Sequence, residues 1–155
     1  MDMKFITGNV SIGKYIDVTS RYLFNYIYKK VTPYNIKRHE FKVLVELYHN
    51  EGICQEDIVE NLKIRKSEVA KAIKELIAND YVYKIKNPEN KRIHNLYITK
   101  KGLTIKNDII NILLKSSEIL TQNISQEDLK VAKKVMKQMA NNIYIEANIK
   151  EENDE

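Results

Sequence analysis

Apolar residues return every three or four positions across residues 11–31. Ile12, Tyr15, Ile16, Tyr22, Leu23, Tyr26 and Ile27 fall with Thr19 and Lys30 on one helical face. Pro33 ends that helix, because proline has no N–H to continue the ladder. A second helix is predicted over residues 37–50, with Phe41, Leu44, Val45 and Tyr48 on one side and Gly52 as a left-handed stop. After a short extended link, Ile53-Cys54, come two brief helical patterns. Residues 55–62 turn Ile58 and Leu62 inward, and a segment from Arg65 or Lys66 to about Asn79 turns Val69, Ile73, Leu76 and Ile77 inward. Only Lys63-Ile64-Arg65 separates them, which is the spacing of a helix-turn-helix.

The period then shortens to two. Tyr81-Val82-Tyr83-Lys84-Ile85 and Ile93-His94-Asn95-Leu96-Tyr97-Ile98 alternate and are rich in β-formers, with polar, turn-forming residues 86–92 between them. This is an antiparallel hairpin with a long basic tip. Thr99 is a suitable N-cap for one helix over residues 100–122, with Leu103, Ile109, Ile110, Leu113 and Leu120 apolar. Ser125, with Asp128 three residues on, opens a last helix whose stripe is Leu129, Ala132, Val135, Met136, Met139 and Ile143. The fold class expected is mainly α with a small β-hairpin: a winged helix-turn-helix at residues 35–99, flanked by helical dimerisation extensions at 1–34 and 100–148. Residues 149–155 form an acidic, frayed, flexible tail. Four glycines and two prolines among 155 residues agree with long uninterrupted helices.

Charge changes the picture because it is unevenly placed. The whole chain carries +5, but residues 63–101 hold eleven basic and four acidic side chains, a local +7 that leaves the remainder at −2. A basic excess inside a folded segment is the footprint of a polyanion binder, although a solvated lysine-rich surface fits charge alone equally well. Position is more informative. A helix of about 14 residues is roughly 21 Å long and fits the major groove of duplex DNA. With Val69, Ile73, Leu76 and Ile77 facing inward, Arg65, Lys66, Ser67, Glu68, Lys71, Ala72, Lys74 and Glu75 are left on the outer face or at the N-terminal end, where base edges are read. At the hairpin tip Lys86, Lys91 and Arg92 suit the narrower minor groove.

Other chemistries find little material. His39, His49 and His94 are far apart, no nucleophile–base pattern stands out, and four glycines make no phosphate-binding loop, so no enzyme, cofactor or metal site is expected. Cys54 is the sole cysteine; it has no disulfide partner within the chain and reads as a small buried apolar residue rather than a redox sensor. No apolar run approaches a membrane span and the N-terminus lacks a signal-peptide pattern, so a cytoplasmic protein is expected.

Residues from about Lys37 to Gly102 resemble the DNA-binding core of the MarR family of transcription regulators. The resemblance rests on Gln55-Glu56-Asp57-Ile58-Val59-Glu60-Asn61-Leu62, on Arg65-Lys66-Ser67-Glu68-Val69-Ala70-Lys71, and on Leu76 with Tyr81-Val82-Tyr83-Lys84. It continues through the wing Asn87-Pro88-Glu89-Asn90-Lys91-Arg92 and Ile98-Thr99-Lys100-Lys101-Gly102, and with the flanking helices covers about nine-tenths of the chain. Two departures stand out. Lys63 occupies a turn position where glycine is common; a left-handed lysine costs roughly 1–2 kcal/mol, which predicts a turn built differently. Asn87 and Asn90 replace wing aspartates that typically brace the arginine, which predicts a less firmly held Arg92.

The apolar stripes of the first, fifth and last helices (Tyr15, Tyr22, Tyr26; Leu113, Leu120; Met136, Met139, Ile143) exceed what one small winged helix absorbs. A two-fold homodimer would cover them and present two reading helices about 34 Å apart to a pseudo-palindromic operator. The resemblance implies a sequence-specific double-stranded DNA-binding repressor, with a small apolar or anionic effector held near the junction of dimer and DNA-binding parts. Two alternatives remain open at this point: a winged helix used for protein–protein contact, and a nonspecific architectural DNA binder.

Overall fold

A computed structural model describes the backbone of residues 11–153 and the side chains of residues 11–147. The first ten residues lie outside that range, and of the tail expected to be frayed at 149–155, residues 149–153 continue the last helix. The element order is α1 (Ile12–Val31), a 3-10 turn (Thr32–Tyr34), α2 (Arg38–His49), α3 (Gln55–Leu62), α4 (Lys66–Ala78), β1 (Val82–Lys86), β2 (His94–Ile98), α5 (Lys100–Thr104), α6 (Lys106–Leu120) and α7 (Gln126–Asn153). Two compact units result, one up to Ser116 and one from Ser117 onward.

The first unit is organised around a core in which Val31, Leu44, Leu47, Ile58, Val69, Leu76, Val82 and Ile109 are wholly shielded from water. These residues come from α1, α2, α3, α4, β1 and α6, so one cluster ties every major element of the unit together. Each such side chain contributes on the order of 1.5–3 kcal/mol by leaving water. The strands pair antiparallel, with Val82 opposite Ile98 and Lys86 opposite His94. Period-two alternation therefore sends Val82, Leu96 and Ile98 into the core, while Tyr83 and Tyr97 stack on the other face. A bridge from Cys54 to Asn95 adds a short third rung beside β2.

Close backbone approach decides one glycine. A Cβ on Gly102 would lie 2.5 Å from the Tyr81 carbonyl oxygen and 2.6 Å from Ile98 Cγ2. The Gly102 N–H donates to Thr99 Oγ1 at 3.0 Å, and its carbonyl accepts from the Tyr48 hydroxyl at 2.7 Å. Thr99 thus caps α5 as its sequence position predicts. Gly52 takes the expected left-handed backbone, at φ +84°.

Several expectations are corrected. The helix expected over residues 100–122 is two, α5 and α6, interrupted at Ile105; Gly102 and the β-branched pair Thr104-Ile105 are weak helix formers at that junction. The break turns Leu103 outward and Ile105 inward. The exposure of Leu120, and on α1 of Ile12, Tyr15, Ile16 and Tyr22, agrees with the expected surplus of apolar face, whereas Ile27 and Val31 are in the core with Leu23 and Tyr26 packed against it. Cys54 is half-buried rather than buried, because it occupies the cap position at the start of α3.

Lys63 does not avoid the left-handed region. It adopts φ 51° and ψ 45°, closing α3 as a glycine would, with its N–H bonded to the Val59 carbonyl at 2.9 Å and its ammonium paired with Glu60. The local interactions offset the steric cost.

In the second unit, the start of α7 is built as its sequence predicts. The Ser125 hydroxyl accepts the Asp128 N–H at 3.0 Å and donates to the Asp128 carboxylate at 2.7 Å. No helix among the described residues is long and apolar enough to cross a membrane.

Candidate nucleic-acid interface

Helix α4 carries Glu68 in its first turn but opens on two cations. The positive end of a helix macrodipole favours acids, yet Arg65 stands at the cap and Lys66 at the first helical position, with no side-chain cap bond from Arg65. Each misplaced cation costs a few tenths of a kcal/mol or more in the helix alone. Local stability therefore does not explain them, and such conflicts concentrate at functional positions.

Arg65, Lys66, Ser67, Lys71 and Lys74 are all exposed along α4, as the inward packing of Val69, Ile73 and Leu76 requires. Ala72, expected on the outer face, is instead buried against the core, because the helix presents a wider apolar stripe to α2 than four positions define. Glu68 is half-buried and turns toward α2, where its carboxylate lies 3.8 Å from His39 Nδ1. It is thereby drawn aside from the exposed flank of α4.

The wing brings a second set of cations to the same side of the unit. Arg92 lines a shallow cleft of about 200 Å³ together with Ile73 of α4, Gln55 and Glu56 of α3, and Lys84, Ile93, His94 and Leu96 of the hairpin. Glu56 in turn meets Lys66, Nζ to Oε1 at 3.1 Å, so the reading end of α4, the start of α3 and the wing arginine are contiguous. The Lys66 hydrogen bond holds the Glu56 carboxyl below the usual carboxylate range, aided by its own backbone N–H. Lys86 and Lys91 are exposed on the wing and line neither this cleft nor the one described next.

The asparagines of the tip brace its backbone, though none of these bonds reaches the Arg92 guanidinium. Asn87 Oδ1 accepts the N–H groups of Glu89 at 2.9 Å and Asn90 at 3.1 Å, and Asn90 Oδ1 accepts the Arg92 N–H at 3.1 Å. An amide oxygen serves as well as a carboxylate oxygen for these turn bonds. Asn87 Nδ2 also donates to Asn95 on β2 at 3.2 Å.

Sequence reasoning missed two groups. Lys84 and His94 join Arg92 in the cleft, and strand alternation carries the signal, since Lys84 shares a hairpin face with Val82 and pairs with Leu96. Lys37, Arg38 and His39 at the start of α2 line a second cleft, of about 160 Å³, with Lys71, Ala72 and Glu68 of α4. Only the tertiary fold reveals that neighbourhood.

Not every cation in the basic stretch is free for a partner. Lys101 donates to the Asn79 carbonyl at 2.7 Å and sits 4.6 Å from the Tyr81 ring centre, so it seals the end of α4. Among the described residues no cluster of histidine, cysteine and carboxylate side chains could hold a metal ion.

Comparison with known proteins agrees with this geometry. The MarR family pattern matches residues 36–94. A MarR transcriptional regulator from Methanosarcina mazei Go1 is 31% identical; the match covers 86% of this chain and 97% of that one, with a TM-score of 0.77. A putative MarR family transcriptional regulator from Listeria monocytogenes, solved in complex with a 26mer DNA, is 28% identical over 86% of this chain and 89% of that one, with a TM-score of 0.81. The curated Bacillus subtilis protein YybA, an uncharacterized HTH-type transcriptional regulator, is 27% identical over 70% of this chain and 73% of its own length.

Proposed function

Because the chain belongs to the MarR family of DNA-binding transcriptional regulators, we propose that it is a homodimeric repressor of a pseudo-palindromic operator, released by a small apolar or anionic effector. Helix α4 enters the major groove, where Arg65, Lys66, Ser67 and Lys71 read base edges and Lys74 meets phosphate, while Glu68, turned toward His39, stands aside from the reading face. Lys86, Lys91 and Arg92 on the wing follow the backbone into the adjacent minor groove. Lys37 and Arg38 at the start of α2 add backbone contacts beside Lys71.

The observation that carries this reading is the continuity of Lys66, Glu56 and Arg92 on one exposed side of the first unit. One duplex can meet the helix end and the wing together. The Listeria protein's complex with DNA supports the same assignment by likeness. The homodimer is supported by α7, where Val135, Met136 and Ile143 are 42%, 57% and 73% exposed on one face. An apolar stripe left open to water over that length marks an association surface.

Selection of binding sites from a random duplex pool tests the function. The expected result is a palindromic consensus, bound with an affinity that falls steeply as salt rises. Replacing Lys66 and Lys71 together by alanine is expected to weaken operator binding by about tenfold or more and to reduce the salt slope by up to about 2. No consensus with the steep slope retained would leave an architectural binder, and a flat salt response would leave a protein-contact module.

A further inference from the structure

We propose that Glu56 is a built-in competitor for DNA: its carboxylate occupies Lys66 in the free protein and lowers affinity for every duplex. The inference rests on the reading of α4 and the wing as the DNA-binding face.

Three observations carry it. First, Glu56 is the acid among the residues lining the cleft that Lys84, His94 and Arg92 share. A carboxylate there faces whatever polyanion those cations attract. Second, the pair it makes is open to solvent, with the Lys66 and Glu56 side chains 69% and 60% exposed at a separation of 3.1 Å. A pair of that kind adds little to folding, and it can exchange one anionic partner for another without burying a charge. Third, the structural task at the start of α3 belongs to the neighbouring acid. Asp57, not Glu56, closes the helix end by accepting the Cys54 N–H at 2.9 Å.

The consequence is electrostatic and independent of sequence. When a duplex approaches, Lys66 must leave Glu56, and the released carboxylate then repels the phosphate backbone across the cleft. The lost pair and the repulsion oppose binding to any duplex, including random ones held mainly by the phosphate term. Binding then leans more heavily on the base contacts of α4.

The test is fluorescence anisotropy of Glu56→Gln, alone and combined with Lys66→Ala, on the selected operator and on a random duplex of equal length. Glu56→Gln keeps the side chain's shape and removes its charge. It is expected to tighten both duplexes by about three- to tenfold at low salt, with the gain shrinking as salt screens it. In the Lys66→Ala background the gain should fall to about twofold or less, because the competed cation is gone. The thermal midpoint of Glu56→Gln should match that of the parent, which excludes a folding effect. Unchanged affinity, an equal gain in both backgrounds, or weaker operator binding would each overturn the proposal. If Lys66→Ala alone bound both duplexes as tightly as the parent, the assignment of the DNA-binding face itself would fail, and that result is visible independently of Glu56.

Discussion

Helices α2 and α7 are both built on regularly spaced apolar residues, yet they end in opposite situations. On α2, Phe41, Val43, Leu44 and Leu47 are buried against α3, α4 and β2. On α7 none of the described side chains is buried, and Ile143 is among the most exposed apolar residues of the chain. Periodicity is the same kind of signal in both. What differs is the supply of neighbours: α2 is packed by α3, α4 and β2, whereas α7 keeps an apolar stripe open to water. The winged part buries a core of its own beneath a polar site, and α7 is the element to which we assign association.

The largest effect that sharpens this contrast is on stability. Leu47→Ala is expected to cost about 2–5 kcal/mol in urea unfolding, because it opens a cavity in a fully packed core. Ile143→Ala should change the unfolding of the winged part by less than about 0.5 kcal/mol. Equal losses would erase the distinction between the two helices.

Next in size is association. Met136→Glu combined with Ile143→Glu should convert the proposed dimer to a monomer in light scattering and lower operator affinity by about a hundredfold, because one half-site contact is lost. Thermal unfolding of the winged part should be retained. A double variant that stays dimeric would break the assignment of α7 as the association element.

The smallest effect concerns how the helices begin. The Cys54 N–H bonded to Asp57 holds that carboxyl below its usual range. A depressed folded-state value means that the bond's contribution is full above the unfolded carboxyl pKa, near 4, and disappears as pH falls through the lower folded value. Asp57→Asn should flatten that part of the acid-unfolding profile by less than about 1 kcal/mol, since the group is solvent-exposed. The corresponding change at Asp128 should leave the winged part unaltered, in keeping with its place in the second unit.

Much of the architecture was legible in the chain. The four residues Val69, Ile73, Leu76 and Ile77 oriented α4, and with it the exposure of Lys66, Ser67 and Lys71. Period-two alternation placed the hairpin to within a residue or two, and Thr99 and Ser125 marked helix starts that the side-chain bonds bear out. The failures share a cause. Ala72 is small enough to read as either face, Leu103 follows the period of a helix that in fact breaks at Ile105, and the left-handed Lys63 defies a propensity that local bonds offset. Each depends on packing that a one-dimensional pattern does not encode.

The sequence alone determined the order of elements, the inward stripes of the winged part and the concentration of positive charge in residues 63–101, because these follow from side-chain size, polarity and spacing along one chain. The tertiary structure alone decided that Lys66 meets Glu56, that Glu56 shares a cleft with Arg92, and that Lys37 and Arg38 stand beside Lys71. Such encounters join residues ten to forty positions apart, and electrostatic energy depends on distance through space, which only the packed core sets.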